Sequence, residues 1–202
     1  METQQTAANY DKIAYHWAGD SFDHKNGIQQ HERAIRFARS PGLAIDIGCG
    51  SSGRIIELLL AHKFTVEGLD ISAEMLALAK KKHPHVVFHH ADISLWEFPK
   101  TYDFISAWDS IWHLPLERQP AVLEKICRAL NSRGVLIFTS GGVDRPGYVT
   151  NTFLGQPLYH AALGIPKLLQ LIDKFGCVCR HLEYDQNHAS ESHLYLIVQK
   201  AI

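Results

Sequence analysis

From about residue 43 onward, short apolar runs alternate with longer amphipathic ones, and that alternation sets the expected architecture. LAIDIG (Leu43–Gly48) reads as a buried strand, and RIIELLLAHK as the helix after it. FTVEGLD (Phe64–Asp70) is a second strand. The helix ISAEMLALAKKKH follows, with Ser72 placed to cap its start, lysines gathered at its end and Pro84 stopping it. VVFHHAD (Val86–Asp92) and YDFISAWD (Tyr102–Asp109) are the third and fourth strands. ERQPAVLEKICRALNSRG is a helix that places Leu123, Ile126 and Leu130 on one face and stops at Gly134; VLIFTS (Val135–Ser140) is the fifth strand.

A long irregular segment, 141–164, then leads to the helix IPKLLQLIDKFG, with Pro166 in its first turn and Gly176 beyond its end. Two strand-like runs, CVCRHLEYD and HLYLIVQK, close the chain, joined by the polar QNHASES. Strand and helix in alternation predict an α/β architecture, a parallel sheet with helices on both faces. The last connection is too short for a parallel crossover, so the final strand is expected to run antiparallel. Residues 1–42 read as a helical extension, a flap over the carboxyl ends of the strands.

With 202 residues, the chain has room for one well-packed domain. Its net charge of −1 gives no general attraction to nucleic acid or to anionic membrane, and no apolar window approaches the length of a membrane span. METQQTAANYDKIAYHW lacks the basic head and apolar run of a secretory signal. The cysteines, Cys49, Cys127, Cys177 and Cys179, show neither zinc spacing nor a disulfide framework, so the expected setting is a reducing cytoplasm.

Candidate chemistry falls at strand ends, where open parallel sheets bind ligands. AIDIGCGSSGR contains G-x-G-x-x-G at Gly48, Gly50 and Gly53, a pattern that fits a dinucleotide or a plain tight turn. Asp46 and Asp70 sharpen the choice. Asp70 suits a pair of ribose hydroxyls, which NAD also carries. Asp46, beside the loop, would repel a pyrophosphate and attract a cationic ligand such as S-adenosylmethionine. Asp92, at the end of the third strand, could accept from an adenine amino group.

From Leu43 to about Ser140 the sequence resembles the class I S-adenosylmethionine-dependent methyltransferases. D-I-G-C-G is similar to that family's first motif, G-L-D-I-S to its second and H-A-D-I to its adenine motif. A-W-D-S-I-W-H-L-P with the following helix and V-L-I-F is similar to its fourth and fifth strands, and N-Y-D-K-I-A to the opening ahead of the core. The resemblance implies a three-layer, Rossmann-like, seven-stranded mostly parallel sheet with an antiparallel last strand. It implies one methyltransferase domain over 43–202, with 141–164 as a substrate lid. It assigns Asp46 and the Gly48, Gly50 and Ser51 backbone to the methionine end, and the Ala107 carbonyl to its ammonium. Asp70 would take the ribose, Ile71 would pack on the adenine, Asp92 and the Ile93 amide would read its edge, and Tyr10 would close from the N-terminal helix. The usual loop is D-x-G-x-G-x-G; here Ser52 stands at the third glycine position, so either it substitutes or the loop is one residue longer.

The implied reaction is methyl transfer to a small-molecule acceptor by in-line displacement, leaving S-adenosylhomocysteine. Alignment supplies much of the rate, and a base is needed only for a protonated acceptor. His113 and Asp109, after the fourth strand, and His160, in the 141–164 segment, are the candidates. Packing or cofactor contact is the alternative for His113. Asp144, Arg145, Tyr148 and Tyr159 share the segment with His160. The histidines around the third strand and the last two strands (His83, His85, His89, His90; His181, His188, His193) lack the partners of a metal site, and none is expected. A monomer or homodimer is expected. A nicotinamide-dependent oxidoreductase and a non-catalytic S-adenosylmethionine-binding protein are the rival readings.

Overall fold

The computed structural model describes residues 3–184 and 193–202. The QNHASES connection, with His188, lies outside the described residues. The elements run α1 (Thr3–Ala18), α2 (Ile28–Ile35), β1 (Leu43–Ile47), α3 (Arg54–Ala61), β2 (Thr65–Asp70), α4 (Ala73–Lys82), β3 (Val87–His90) and β4 (Tyr102–Ala107). A single 3₁₀ turn (Ile111–His113) leads to α5 (Gln119–Arg128), β5 (Leu130–Gly141), β6 (Gly147–Phe153), β7 (Gln156–Ala162), α6 (Ile165–Lys174), β8 (Cys177–Tyr184) and β9 (His193–Lys200).

Seven strands form one sheet in the order β3-β2-β1-β4-β5-β9-β8. β1 to β5 are mutually parallel, and β9 inserts antiparallel between β5 and β8. The strand order reverses between β1 and β4, so a crevice opens where the connections leave to opposite sides. Side chains of α5 and α6 (Leu123, Ile126, Leu168, Ile172) pack with Ile45, Ile105 and Leu136 on one face. Those of α2, α3 and α4 (Ala34, Ile56, Leu59, Leu76) pack with Ala44, Val66, Phe104 and Ile137 on the other. Each fully buried Ile, Leu or Phe contributes roughly 1.5–3 kcal/mol by leaving water. As the sequence predicts, Ser72 caps α4: its hydroxyl accepts from the Met75 N–H at 3.1 Å.

The structure corrects two readings of the sequence. The helix before β5 ends at Arg128, and β5 begins at Leu130, ahead of Gly134. Leu130 pairs with Tyr102, whose N–H donates to the Ala129 carbonyl, and the register then slips before Phe104 meets Val135. Gly134 serves that irregularity: a Cβ there would lie 2.9 Å from the carbonyl oxygens of Asn131 and Tyr102. A glycine needed for close backbone approach was read as a helix stop.

Segment 141–164, read as irregular, contains the β6–β7 hairpin, closed by Leu154 and Gly155 at φ of 48° and 77°. Two left-handed residues make the tight connection whose twist suits paired strands. Every residue of β6 is exposed, so it carries no buried alternation to betray a strand. β7 buries Leu158, Tyr159, Ala161 and Ala162.

Candidate functional site

The carboxyl ends of β1 to β4 surround a cavity of about 410 Å³, roofed by α1, the Ile111–His113 turn and the hairpin. After β1 the chain turns through Gly48, Gly50 and Gly53 at φ of 70°, 59° and 66°. The Gly48 and Cys49 N–H groups both donate to the Leu69 carbonyl, at 2.7 and 3.1 Å. A Cβ on Gly48 would lie 2.3 Å from the Ser110 Cβ, whereas one on Gly50 would meet nothing within 4 Å. Gly48 is therefore required by packing, and Gly50 leaves open space for a ligand to approach the backbone. Ser52 is not among the left-handed residues; that position falls on Gly53, at the start of α3. Ser52 therefore does not take the backbone conformation that favours glycine, and Gly53 does.

Asp70 organises this loop. One carboxylate oxygen accepts from the Gly50 N–H at 2.8 Å, the other from the Ser72 N–H at 2.9 Å. Burial raises its pKa against the pull of those bonds. Each oxygen keeps a lone pair for a further donor. Asp92 accepts from the Thr3 hydroxyl at 2.6 Å and the Ser94 N–H at 2.8 Å. Burial would raise its pKa, but these bonds outweigh it and hold it below the ordinary value. Ile71 and Ile93 line the cavity beside these two carboxylates.

Asp46 and Ala107 do not line the cavity. Asp46 is buried beneath the loop beside Ser106 on β4, and burial pushes its carboxyl up to about 6 although Ser106 and Arg54 pull it down. The Ser51 hydroxyl donates to the Ala14 carbonyl at 2.8 Å, tying the loop to α1. A second tie runs from the Ser72 hydroxyl to Asp11 at 2.5 Å.

Tyr10, Asp109, His113 and His160 meet on the opposite wall. His113 Nδ1 lies 2.7 Å from the Tyr159 carbonyl and must donate to it, which leaves Nε2 as an acceptor. The Tyr10 hydroxyl and the Trp112 indole N–H occupy that acceptor, at 2.7 and 3.0 Å. Burial, reinforced by the neighbouring His160, lowers the His113 pKa to about 3. Its lone pair is engaged, so proton uptake there requires breaking two hydrogen bonds. Burial raises the Tyr10 pKa, and Asp109 and Asp70 add to the shift. The His160 ring lies tilted against that of His113, with centroids 4.7 Å apart.

Asp109 sits at φ 52°, its N–H held by the Thr139 hydroxyl at 2.8 Å, and its carboxylate faces His193 Nε2 at 3.0 Å. Sequence reasoning missed this Asp109–His193 pair, because His193 at the start of β9 comes near the residues after β4 only once β5 stands between the two strands in the assembled sheet. It also missed Arg54, Trp17 and Phe22 in the cavity wall. Arg54, directly after the last loop glycine, was open to recognition from its position alone. Of the five residues named in segment 141–164, His160 alone lines the cavity.

The third-strand histidines have other engagements. His89 Nε2 lies 3.0 Å from buried Glu67, which also accepts from Lys100 and Tyr102, and His90 donates to the Ile71 carbonyl at 3.0 Å. Among the described residues, no group of three or more His, Cys, Asp or Glu side chains could hold a metal ion. No helix among them is long and apolar enough to cross a membrane.

Residues 44–134 match a family model described as a methyltransferase domain. Over 111 residues the chain is 32% identical to a dTDP-3-amino-3,6-dideoxy-alpha-D-glucopyranose N,N-dimethyltransferase of Streptomyces fradiae, a match covering 52% of this chain and 43% of that protein. The chain spans about half the length of the curated relatives it matches. Among solved structures, an S-adenosylmethionine-dependent methyltransferase from Clostridium acetobutylicum superposes with a TM-score of 0.72 at 15% identity, covering 96% of this chain and 99% of that one. The N-methyltransferase NodS from Bradyrhizobium japonicum, in complex with S-adenosyl-L-homocysteine, gives 0.68 at 14% identity, covering 95% and 98%. These likenesses are likenesses of fold.

Proposed function

We propose that residues 44–134, which match a methyltransferase-domain model, form a class I, Rossmann-like, S-adenosylmethionine-dependent methyltransferase domain, and that the chain transfers a methyl group from S-adenosylmethionine to a small-molecule acceptor. One observation carries the reading: a glycine loop open at Gly50, Asp70 and Asp92 stand at three successive strand ends around one cavity. Its 410 Å³ falls within the usual range for small-ligand pockets, roughly 300–1,000 Å³.

When bound, S-adenosylmethionine supplies a methyl group made electrophilic by the sulfonium. The Gly48, Gly50 and Ser51 backbone would hold the methionine end; Ala107, buried and outside the cavity wall, takes no part. Asp46 contributes from beneath the loop through its negative field. The free lone pairs of Asp70 accept from the ribose hydroxyls. Asp92 and the Ile93 amide read the adenine edge, against which Ile71 packs. Residues 1–42 act as a flap, with Tyr10 closing the cavity, and 141–164 as a lid over the acceptor. Asp109, His113 and His160 surround the acceptor. Of the two candidates that follow β4, Asp109 is favoured over His113 as proton acceptor, because the His113 lone pair is already engaged. The acceptor arrives without nucleic acid or membrane, and the chain works as a monomer or homodimer in the cytoplasm, a setting consistent with four free cysteines.

Calorimetric titration with S-adenosylmethionine, S-adenosylhomocysteine and NADH tests the reading. Micromolar binding of the first two without the third is expected, and binding of NADH alone overturns it. The Streptomyces relative and NodS are named for nitrogen methylation, so amines head the acceptor panel for a labelled-methyl assay.

A further inference from the structure

One charged side chain in the cavity wall has no part in the chemistry above. Arg54 is the first residue of α3. Its Nε donates to the Asn26 carbonyl and its Nη1 to the Ser52 hydroxyl, both at 2.8 Å, and its guanidinium carbon lies 4.9 Å from the centre of the Phe22 ring. Phe22, Ser52 and Arg54 all line the cavity. Two hydrogen bonds and a ring face fix the plane of the guanidinium. Its Nη2 engages no acceptor among the described residues, and none of their carboxylates forms a salt bridge with it.

A largely buried cation without an ion pair is costly unless something compensates it. Asp109, Asp46 and Asp23 lend a favourable field from a distance, yet burial prevails and pulls the pKa of Arg54 below its ordinary value. The positive end of α3 adds to the potential at the same point. The acidic residues of the wall are Asp70, Asp92 and Asp109, and Arg54 is its one Arg or Lys among the described residues, so it makes one end of the cavity electrostatically distinct.

We propose that Arg54 is an anion-binding site at that end of the cavity, holding a carboxylate beside the Phe22 ring. A planar guanidinium with one edge free matches a planar carboxylate. Resting on the S-adenosylmethionine reading, the inference admits two sources for that carboxylate: the methionyl tail of the cofactor, or an acid group on the acceptor.

Calorimetry on the wild type, Arg54→Gln and Arg54→Lys separates them, using S-adenosylmethionine and its decarboxylated form. If the tail is held, Arg54→Gln weakens S-adenosylmethionine binding about 10- to 100-fold and leaves the decarboxylated form unchanged, with Arg54→Lys between. If the acceptor is held, both nucleosides bind the variants normally. The wild type saturated with S-adenosylhomocysteine then binds benzoate or succinate, and saturated Arg54→Gln does not. Equal weakening of both nucleosides would make Arg54 a strut between the Asn26 loop and the glycine loop, overturning the proposal. Unchanged nucleoside binding, with neither acid bound by the wild type, would overturn it too. Failure of the cofactor reading shows separately, in a wild type that binds neither nucleoside.

Discussion

The two walls of the cavity are built on different plans. On one, Gly48, Gly50, Asp70 and Asp92 stand where β1, β2 and β3 end, each fixed by backbone groups within a few residues or on the adjacent strand. On the other, apart from the bond between the neighbours Trp112 and His113, the contacts join distant parts of the chain: Tyr10 to His113, His113 to the Tyr159 carbonyl, Asp109 to His193. The first wall is local and rigid because the parallel sheet places it. The second exists only when α1 and the hairpin dock. Under the proposed function the first is the cofactor wall and the second the acceptor wall, and a fold that keeps the one constant and assembles the other from appended segments can change acceptor without redesigning the sheet.

Substitutions that hit one wall and spare the other test that division. The largest effect is expected from Gly48→Val, which forces a branched side chain into a left-handed residue against Ser110. Binding of S-adenosylhomocysteine should vanish and the melting temperature should fall sharply; normal binding would mean the loop is not the cradle. Next is Asp70→Asn, isosteric and able to keep one backbone hydrogen bond. Affinity for S-adenosylhomocysteine should drop about 100-fold, as expected for two lost charge-assisted bonds, with the circular dichroism spectrum unchanged. Parental affinity in that variant would sink the ribose assignment.

Asp46 gives a prediction with a sign. Its folded pKa, about 6, lies above its unfolded value, so the native state holds a proton that the unfolded chain releases between roughly pH 4 and 6. Stability contributed by the neutral carboxyl is present below that window and lost as pH rises through it. Asp46→Asn should therefore gain on the wild type by ~2 kcal/mol at pH 7.5 and much less at pH 4.5, in urea unfolding at the two pH values. An equal difference at both would show that ionised Asp46 carries no such penalty. The smallest effect belongs to the acceptor wall: Tyr10→Phe removes one hydrogen bond to His113, at a cost of ~1 kcal/mol in stability. Its affinity for S-adenosylhomocysteine should change less than about threefold, and a larger loss would mean the two walls act as one.

Legibility in the sequence followed the same division. Strand ends and the acidic residues on them could be read from hydrophobic period and spacing, because each is set within its own segment. Helix α4 announced its cap at Ser72 and its basic end. The hairpin escaped because β6 buries nothing, and an exposed strand carries no alternation for a periodicity argument to find. Gly134 was misread because a glycine beside a helix and a glycine inside a strand irregularity look alike until Tyr102 is seen opposite.

By itself the sequence determined the α/β alternation, the antiparallel last strand and the acidic set around a glycine loop, since local period, turn chemistry and connection length decide these. Only the tertiary structure placed Arg54 beside Phe22, joined Asp109 to His193 and closed the His113 lone pair with Tyr10 and Trp112. Except for the neighbouring Trp112, those partners are far apart along the chain. Contacts of that kind depend on how α1, the loop after it and β9 pack against the finished sheet, and no local pattern encodes that packing.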